Sequence, residues 1–150
     1  MVTAKVLGNH PHVIIAPPDH PLAQQAKLPP ETLLLQHFVM REAGSGTRIL
    51  CDHYVDELGL ARDVAVTEME SNETIKQAVI SGLGIALLSG HTVIEELRSG
   101  RLVTLDAPNM PILRQWFLVH RSDQTLTKVC QNVWDWICEN AGQALRQIGR

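Results

Sequence analysis

The sequence contains no apolar run approaching the roughly 20 residues that a membrane-spanning helix needs. Its opening stretch, "MVTAKVLGNHPHVIIAPP", has one lysine and no continuous apolar core of about 7–15 residues, which argues against a secretory signal. Lysines and arginines number 13, are scattered rather than clustered, and are outweighed by 16 acidic residues, for a net charge of −3. A nucleic-acid surface needs a basic patch, so this chain by itself is not expected to grip DNA. There is no CxxC, and the cysteines, Cys51, Cys130 and Cys138, are odd in number. Cys130 and Cys138 fall on one expected helix, about 12 Å apart at roughly 1.5 Å per residue, too far for a disulfide. Reduced, mostly buried thiols in a cytoplasmic protein are expected.

Catalytic signatures are equally scarce. "GSGTR" is not GxGxxG, and there is no Walker A sequence. Ser45 sits in "AGSGT", not in a GxSxG nucleophile elbow. The seven histidines form neither HExxH nor a Cys/His zinc pattern. His10, His12 and His20 crowd the N-terminal region, where solvated loop histidines are expected rather than a metal site. No catalytic residue, metal or cofactor is assigned.

What is present is an ordinary globular composition, 45% hydrophobic and 19% charged, over 150 residues. That length suffices for one domain with a real core or for two small lobes. Short apolar runs alternate with helix-like runs. Strands are expected at 12–18, 37–42, 63–69, 84–89, 102–107 and 115–121. Helices are expected from about Pro30 and over 47–58, 71–82, 91–100 and about 126–141. Leu50, Cys51, Tyr54, Val55 and Leu58 form one helical face, and Ile75, Ala78 and Val79 another. The last helix lines up Leu126, Val129, Cys130, Val133, Ile137 and Ala141. Such alternation predicts an α/β fold with a largely parallel sheet.

In such sheets ligands sit at the carboxyl ends of strands, against helix N-termini whose free N–H groups and dipole favour anions. Two junctions qualify. In "REAGSGTR" (41–48), Gly44 and Gly46 allow a tight turn and close approach to a ligand. Ser45 and Thr47 can cap the helix or donate hydroxyl hydrogen bonds. Arg41 and Arg48 bring positive charge and bidentate geometry; Arg48 pairs either with an anion or with Glu42. The bland alternative is an ordinary turn and cap with solvated arginines. In "MESNET" (69–74), Ser71, Asn72 and Thr74 cluster at a second helix start, where a plain N-cap is the competing reading. Both junctions are expected to border one cleft.

Together these segments resemble the effector-binding domain of LysR-type transcriptional regulators, roughly from Val13 to Asn140. The marks are "VIIAPPDHPLA", "REAGSGTR", "MESNETIKQAVISGLGIALLS" and "GRLVTLD…RQWFLVHR". "SNETIKQAV", "GLGIALLSGHTV" and "MPILRQWF" resemble most the regulators of the Calvin-cycle RuBisCO operon. The resemblance implies a periplasmic-binding-protein-like (type 2) fold of two α/β subdomains with a small metabolite in the cleft between them. It implies residues 1–12 as a leader into the first crossing strand. Residues 13–121 would then be the complete second subdomain with both crossing strands, and 122–150 the C-terminal helix of the first. The helix-turn-helix, the linker helix and the first half of the first subdomain have no counterpart here, as in a fragment.

The resemblance also places Gly44, Ser45, Gly46 and Thr47 in the loop that touches the effector, with Arg48, Ser71, Asn72 and Thr74 nearby. The implied partners are a small anionic metabolite (a phosphorylated sugar or acid, or an NADPH-like molecule) and a second copy of the chain. DNA would be bound only through the absent helix-turn-helix, and no membrane is involved. The last helix, with Trp134 and Trp136, packs in the family on a part that is missing, so self-association or a displaced helix is expected. A LysR-type regulator of sulfur or aromatic metabolism is the alternative. A stand-alone solute-binding protein or an enzyme on the same fold finds less support.

Overall fold

The apolar runs of this chain are sorted by the pleat of its strands. The computed structural model describes residues 1–59 and 64–145. Its strands are β1 (Val2–Ala16), β2 (His37–Arg41), β3 (Ala65–Met69), β4 (Ala86–Ser89), β5 (Val103–Thr104) and β6 (Ile112–Arg121). Its helices are α1 (Pro30–Leu34), α2 (Gly46–Glu57), α3 (Asn72–Ile80), α4 (Ile94–Arg98) and α5 (Lys128–Ala144). Asp63, the first residue of one expected strand, and the end of the chain from residue 146 lie outside the described residues. Two compact units emerge: His12–Ile112, and Met1–Pro11 together with the chain from Leu113 onward.

In the larger unit, β1 lies between β4 and β5, and β2 pairs with β3. Backbone bonds from Val39 N to Ile85 O (2.8 Å) and from Ile85 N to His37 O (2.9 Å) link β2 to the residue just before β4. Successive side chains on a strand point to opposite faces, so each continuous apolar run feeds two cores. Ile14, Phe38, Met40, Ile85 and Leu87 pack with Cys51, Tyr54 and Val55 of α2. Ile15, Val39, Ala86 and Leu88 pack with Ile75, Ala78 and Val79 of α3. This is why "GIALLS" carries no polar alternation: helices cover both of its faces. Each large apolar side chain so buried contributes roughly 1.5–3 kcal/mol.

The expected largely parallel sheet is in fact mixed. β2 and β3, joined through α2, are parallel with His37 opposite Ala65 and Arg41 opposite Met69. β1 runs antiparallel to both β4 and β5. Only strands joined by a crossover helix are forced parallel, and neither β4 nor β5 follows β1 directly. β1 also begins ten residues earlier than the expected 12–18. Its first part alternates only briefly, over Val2–Val6, before Gly8 and Pro11 interrupt the pattern, yet β6 pairs with β1 and supplies the ladder.

Tertiary bonds fix the helices of this unit. Tyr54 Oη donates to Pro108 O (2.9 Å), tying α2 to the segment after β5. Lys76 of α3 reaches Glu96 of α4 (2.9 Å) and Glu73 (2.8 Å); Lys76 and Glu96 are both buried. Burial pulls the Lys76 ammonium down, but the hydrogen bonds to Glu73 and Glu96 outweigh it and hold it above the usual lysine value.

The smaller unit is thinly buried. Ala141 is its one buried residue among those described. His10 stacks on Trp116 at 4.1 Å, and Trp134 meets His120 edge-on at 4.9 Å. Thr127 caps α5, its hydroxyl accepting from Cys130 N (3.3 Å). Of the expected stripe on this helix, Leu126 and Ile137 are half-buried while Val129 and Val133 stand exposed, as does Trp136. Two side-chain expectations are corrected. The thiols are not mostly buried: Cys51 is, Cys138 is half-buried and Cys130 is exposed. Nor are His10 and His12 loop residues; both lie on β1, and His12 is buried because its strand crosses the core.

Candidate effector site

The two strand-to-helix junctions are neighbours because β2 and β3 are paired in register up to their last residues, Arg41 and Met69. Each strand then delivers the chain to a helix start, Gly46 for α2 and Asn72 for α3. The two groups of sequence-selected residues therefore lie on neighbouring junctions, although 23 or more positions separate them along the chain.

The first junction is a turn closed by Ser45 N donating to Glu42 O (3.2 Å). Gly44 sits at φ +91°, a left-handed conformation that explains glycine there. Ser45 is the N-cap residue of α2, yet its side chain makes no capping hydrogen bond, and the first turn has no acidic residue. The N–H groups of Gly46, Thr47 and Arg48 are thus left by helix geometry without intrahelical partners. Gly44 and Gly46 are exposed, and Ser45 and Thr47 half-exposed.

The second junction differs. Ser71 Oγ accepts from Thr74 N (3.0 Å) and also bonds Thr74 Oγ1 (2.8 Å). Glu73 stands in the first turn. The start of α3 is therefore capped from within, as its plain N-cap reading holds, and the start of α2 is not.

The arginines carry separate duties. Arg41 donates through Nε to Glu42 Oε2 (2.7 Å), through Nη2 to Glu42 Oε1 (2.9 Å), and through Nη1 to Asn72 Oδ1 (2.9 Å). It spans both junctions, which spacing along the sequence does not reveal. Its guanidinium holds the Glu42 carboxyl below the usual range, chiefly through the side-chain hydrogen bond. Arg48 donates from Nε to Asp52 (2.9 Å) and from Nη1 to Glu68 (2.9 Å) and the Arg41 carbonyl (2.9 Å). Of the two alternatives left open for Arg48, an anion or Glu42, the Glu42 pairing is not formed: Arg41, the immediate neighbour, holds Glu42, while Asp52 one helical turn on holds Arg48. A groove of about 470 Å³ runs beside Arg48, Asp52 and Asp56 of α2 and Val64 and Val66; periodicity gave no sign of it.

Residues 2–142 match the family model described as the LysR substrate binding domain. The chain is 52% identical over 144 residues to the HTH-type transcriptional regulator CbbR of Cereibacter sphaeroides, covering 96% of this chain and 46% of that protein. It is 39% identical over 148 residues to the RuBisCO operon transcriptional regulator of Allochromatium vinosum, covering 99% and 49%. It thus spans about half the length of the curated relatives it matches. Among solved structures, the regulatory domain of Synechocystis PCC6803 CcmR, in complex with 2-PG (2-phosphoglycolate), superposes with a TM-score of 0.86 at 35% identity, covering 93% of this chain and 67% of that one. The effector-binding domain of QuiR (TM-score 0.76, 15% identity) shares the fold. The chain therefore belongs to the LysR substrate-binding-domain family and is an effector-binding domain of the LysR type, on a periplasmic-binding-protein-like fold.

Proposed function

We propose that this chain senses a small anionic metabolite at the turn Gly44–Thr47, as part of a cytoplasmic regulator of RuBisCO and CO2-fixation genes. The observation that carries this reading is the uncapped start of α2: an exposed first turn with free amide hydrogens, two hydroxyls and no acidic side chain. Donors so arranged suit a carboxylate or phosphate. Ser71, Asn72 and Thr74 border the same site through the Arg41–Asn72 bond. Arg48 lies in the same first turn and holds its place through Asp52, Glu68 and the Arg41 carbonyl. The CcmR regulatory domain, solved in complex with 2-PG, makes an acid with two anionic groups the first ligand to test. Such sensing needs neither metal nor cofactor and performs no catalysis. It works by favouring one arrangement of a larger regulator over another. DNA contact belongs to a helix-turn-helix outside these 150 residues, and pairing with a second copy involves the exposed apolar residues of α5.

The test is calorimetric titration with 2-phosphoglycolate, ribulose bisphosphate, phosphoenolpyruvate and NADPH, alongside amide chemical-shift mapping. Binding by at least one, with the largest shifts at residues 44–48 and loss of affinity in Ser45→Ala and Thr47→Val, is expected. Shifts concentrated elsewhere, or unchanged affinity in both variants, would overturn the reading.

A further inference from the structure

Resting on the proposed site, we infer that the Glu42 carboxylate is a tethered stand-in for the ligand on Arg41, and that an incoming anion must displace it to reach the guanidinium. Glu42 takes the Nε and Nη2 edge of Arg41 with both oxygens, at 2.7 and 2.9 Å. That two-point fork is the geometry an arginine offers to a ligand carboxylate or phosphate.

Two other ion pairs of this unit join separate elements, which this one does not. Lys76–Glu96 joins two helices and is buried, with side chains 10% and 11% exposed. Arg48 ties α2 to Glu68 of β3. Arg41 and Glu42 are chain neighbours, so their pairing closes no tertiary contact. Their side chains, 20% and 35% exposed, remain open to solvent. The contact that holds structure is the one left on Nη1, to Asn72. Glu42 can swing away without breaking it. The same residue opens the four-residue turn whose carbonyl receives Ser45 N, so the displaced carboxylate leaves next to the uncapped start of α2.

A tethered competitor acts at high effective concentration. A molecule with one anionic group meets that competition with one contact. A molecule with two gains a second hold on the first turn of α2 and wins. Glu42 is thus a specificity residue that admits metabolites with two anionic groups and rejects those with one.

The experiment is calorimetry on the full 150-residue chain with 2-phosphoglycolate, glycolate and inorganic phosphate, for wild type, Glu42→Gln, Glu42→Ala and the double variant Arg41→Gln/Glu42→Gln. Melting curves establish that each variant is folded. Glu42→Gln and Glu42→Ala are expected to tighten 2-phosphoglycolate about tenfold, a coupling of ordinary size, and to admit glycolate and phosphate. The double variant is expected to lose that gain. The Arg41 Nε–H resonance is expected to move when 2-phosphoglycolate saturates the wild type. If Ser45→Ala weakens binding while neither Glu42 variant strengthens it, the stand-in is overturned and the site survives. If Ser45→Ala has no effect either, or no protein binds any of the three, both readings fall.

Discussion

Arg41 and Asn72 stand 31 positions apart and are joined by a 2.9 Å hydrogen bond from Nη1 to Oδ1 that holds two helix starts side by side. β2 and β3 bring the backbones into register, and this bond ties the two connections together. In a double-mutant cycle with Arg41→Gln and Asn72→Ala, a coupling of about 1 kcal/mol is expected from urea denaturation. A coupling indistinguishable from zero would show that the sheet alone holds them together.

The buried Lys76–Glu96 pair should behave as a cost when broken and as dispensable when replaced. Glu96 Oε2 has no hydrogen-bond partner among the described residues, so even the intact pair is imperfectly satisfied. Lys76→Met leaves a buried carboxylate alone and is expected to destabilise by about 3 kcal/mol. Lys76→Met/Glu96→Leu is expected to recover most of that loss. A double variant less stable than Lys76→Met would refute this account.

Gly84 is required by space, not by backbone angle. A Cβ there would overlap the carbonyl oxygen of His37, at the point where Ile85 N bonds that same oxygen. Gly84→Ala is expected to cost about 2 kcal/mol, as overpacking does. Gly46, where a Cβ meets nothing within 4 Å, serves as the control: Gly46→Ala should stay within about 0.5 kcal/mol. Equal effects at the two positions would contradict the geometry.

Cys51 supplies a pH prediction. Burial pushes its thiol up from 9.0 to about 12, with Asp52 adding to the rise. Raising the folded value means the unfolded chain loses this proton first. The stabilisation is complete below pH 9.0 and declines as pH rises toward about 12. Cys51→Ala should flatten that alkaline decline in chemical denaturation. Iodoacetamide under native conditions is expected to label Cys130 first and to spare Cys51 until unfolding. Early labelling of Cys51 would contradict its burial.

On α5, Val129, Val133 and Trp136 follow helical spacing on one exposed face. Val133→Ser/Trp136→Ser is expected to lower the sedimentation-equilibrium mass if this face mediates self-association. An unchanged mass, monomeric or not, would remove α5 from that role.

The order of elements was legible in the sequence because periodicity reports burial. Ile75, Ala78 and Val79 recur at helical spacing and are buried on α3. The candidate turn was legible too: glycines and hydroxyls at a strand-to-helix handover have a local meaning that survives in isolation, and the motifs around them carried the family. Less visible was the first part of β1, whose Gly8 and Pro11 look unfit for a strand until β6 is there to pair with it.

Local chemistry, then, was determined by the sequence: which segments form helices, which faces are apolar, and where a helix begins with free amide hydrogens. The tertiary structure alone decided the antiparallel placement of β1, the choice of ion-pair partners by Arg41 and Arg48, and the meeting of Arg41 with Asn72. Those outcomes depend on contacts between residues far apart in the chain. Propensity and periodicity act over a few residues, whereas a guanidinium chooses among all carboxylates and carbonyls that folding brings within about 3 Å.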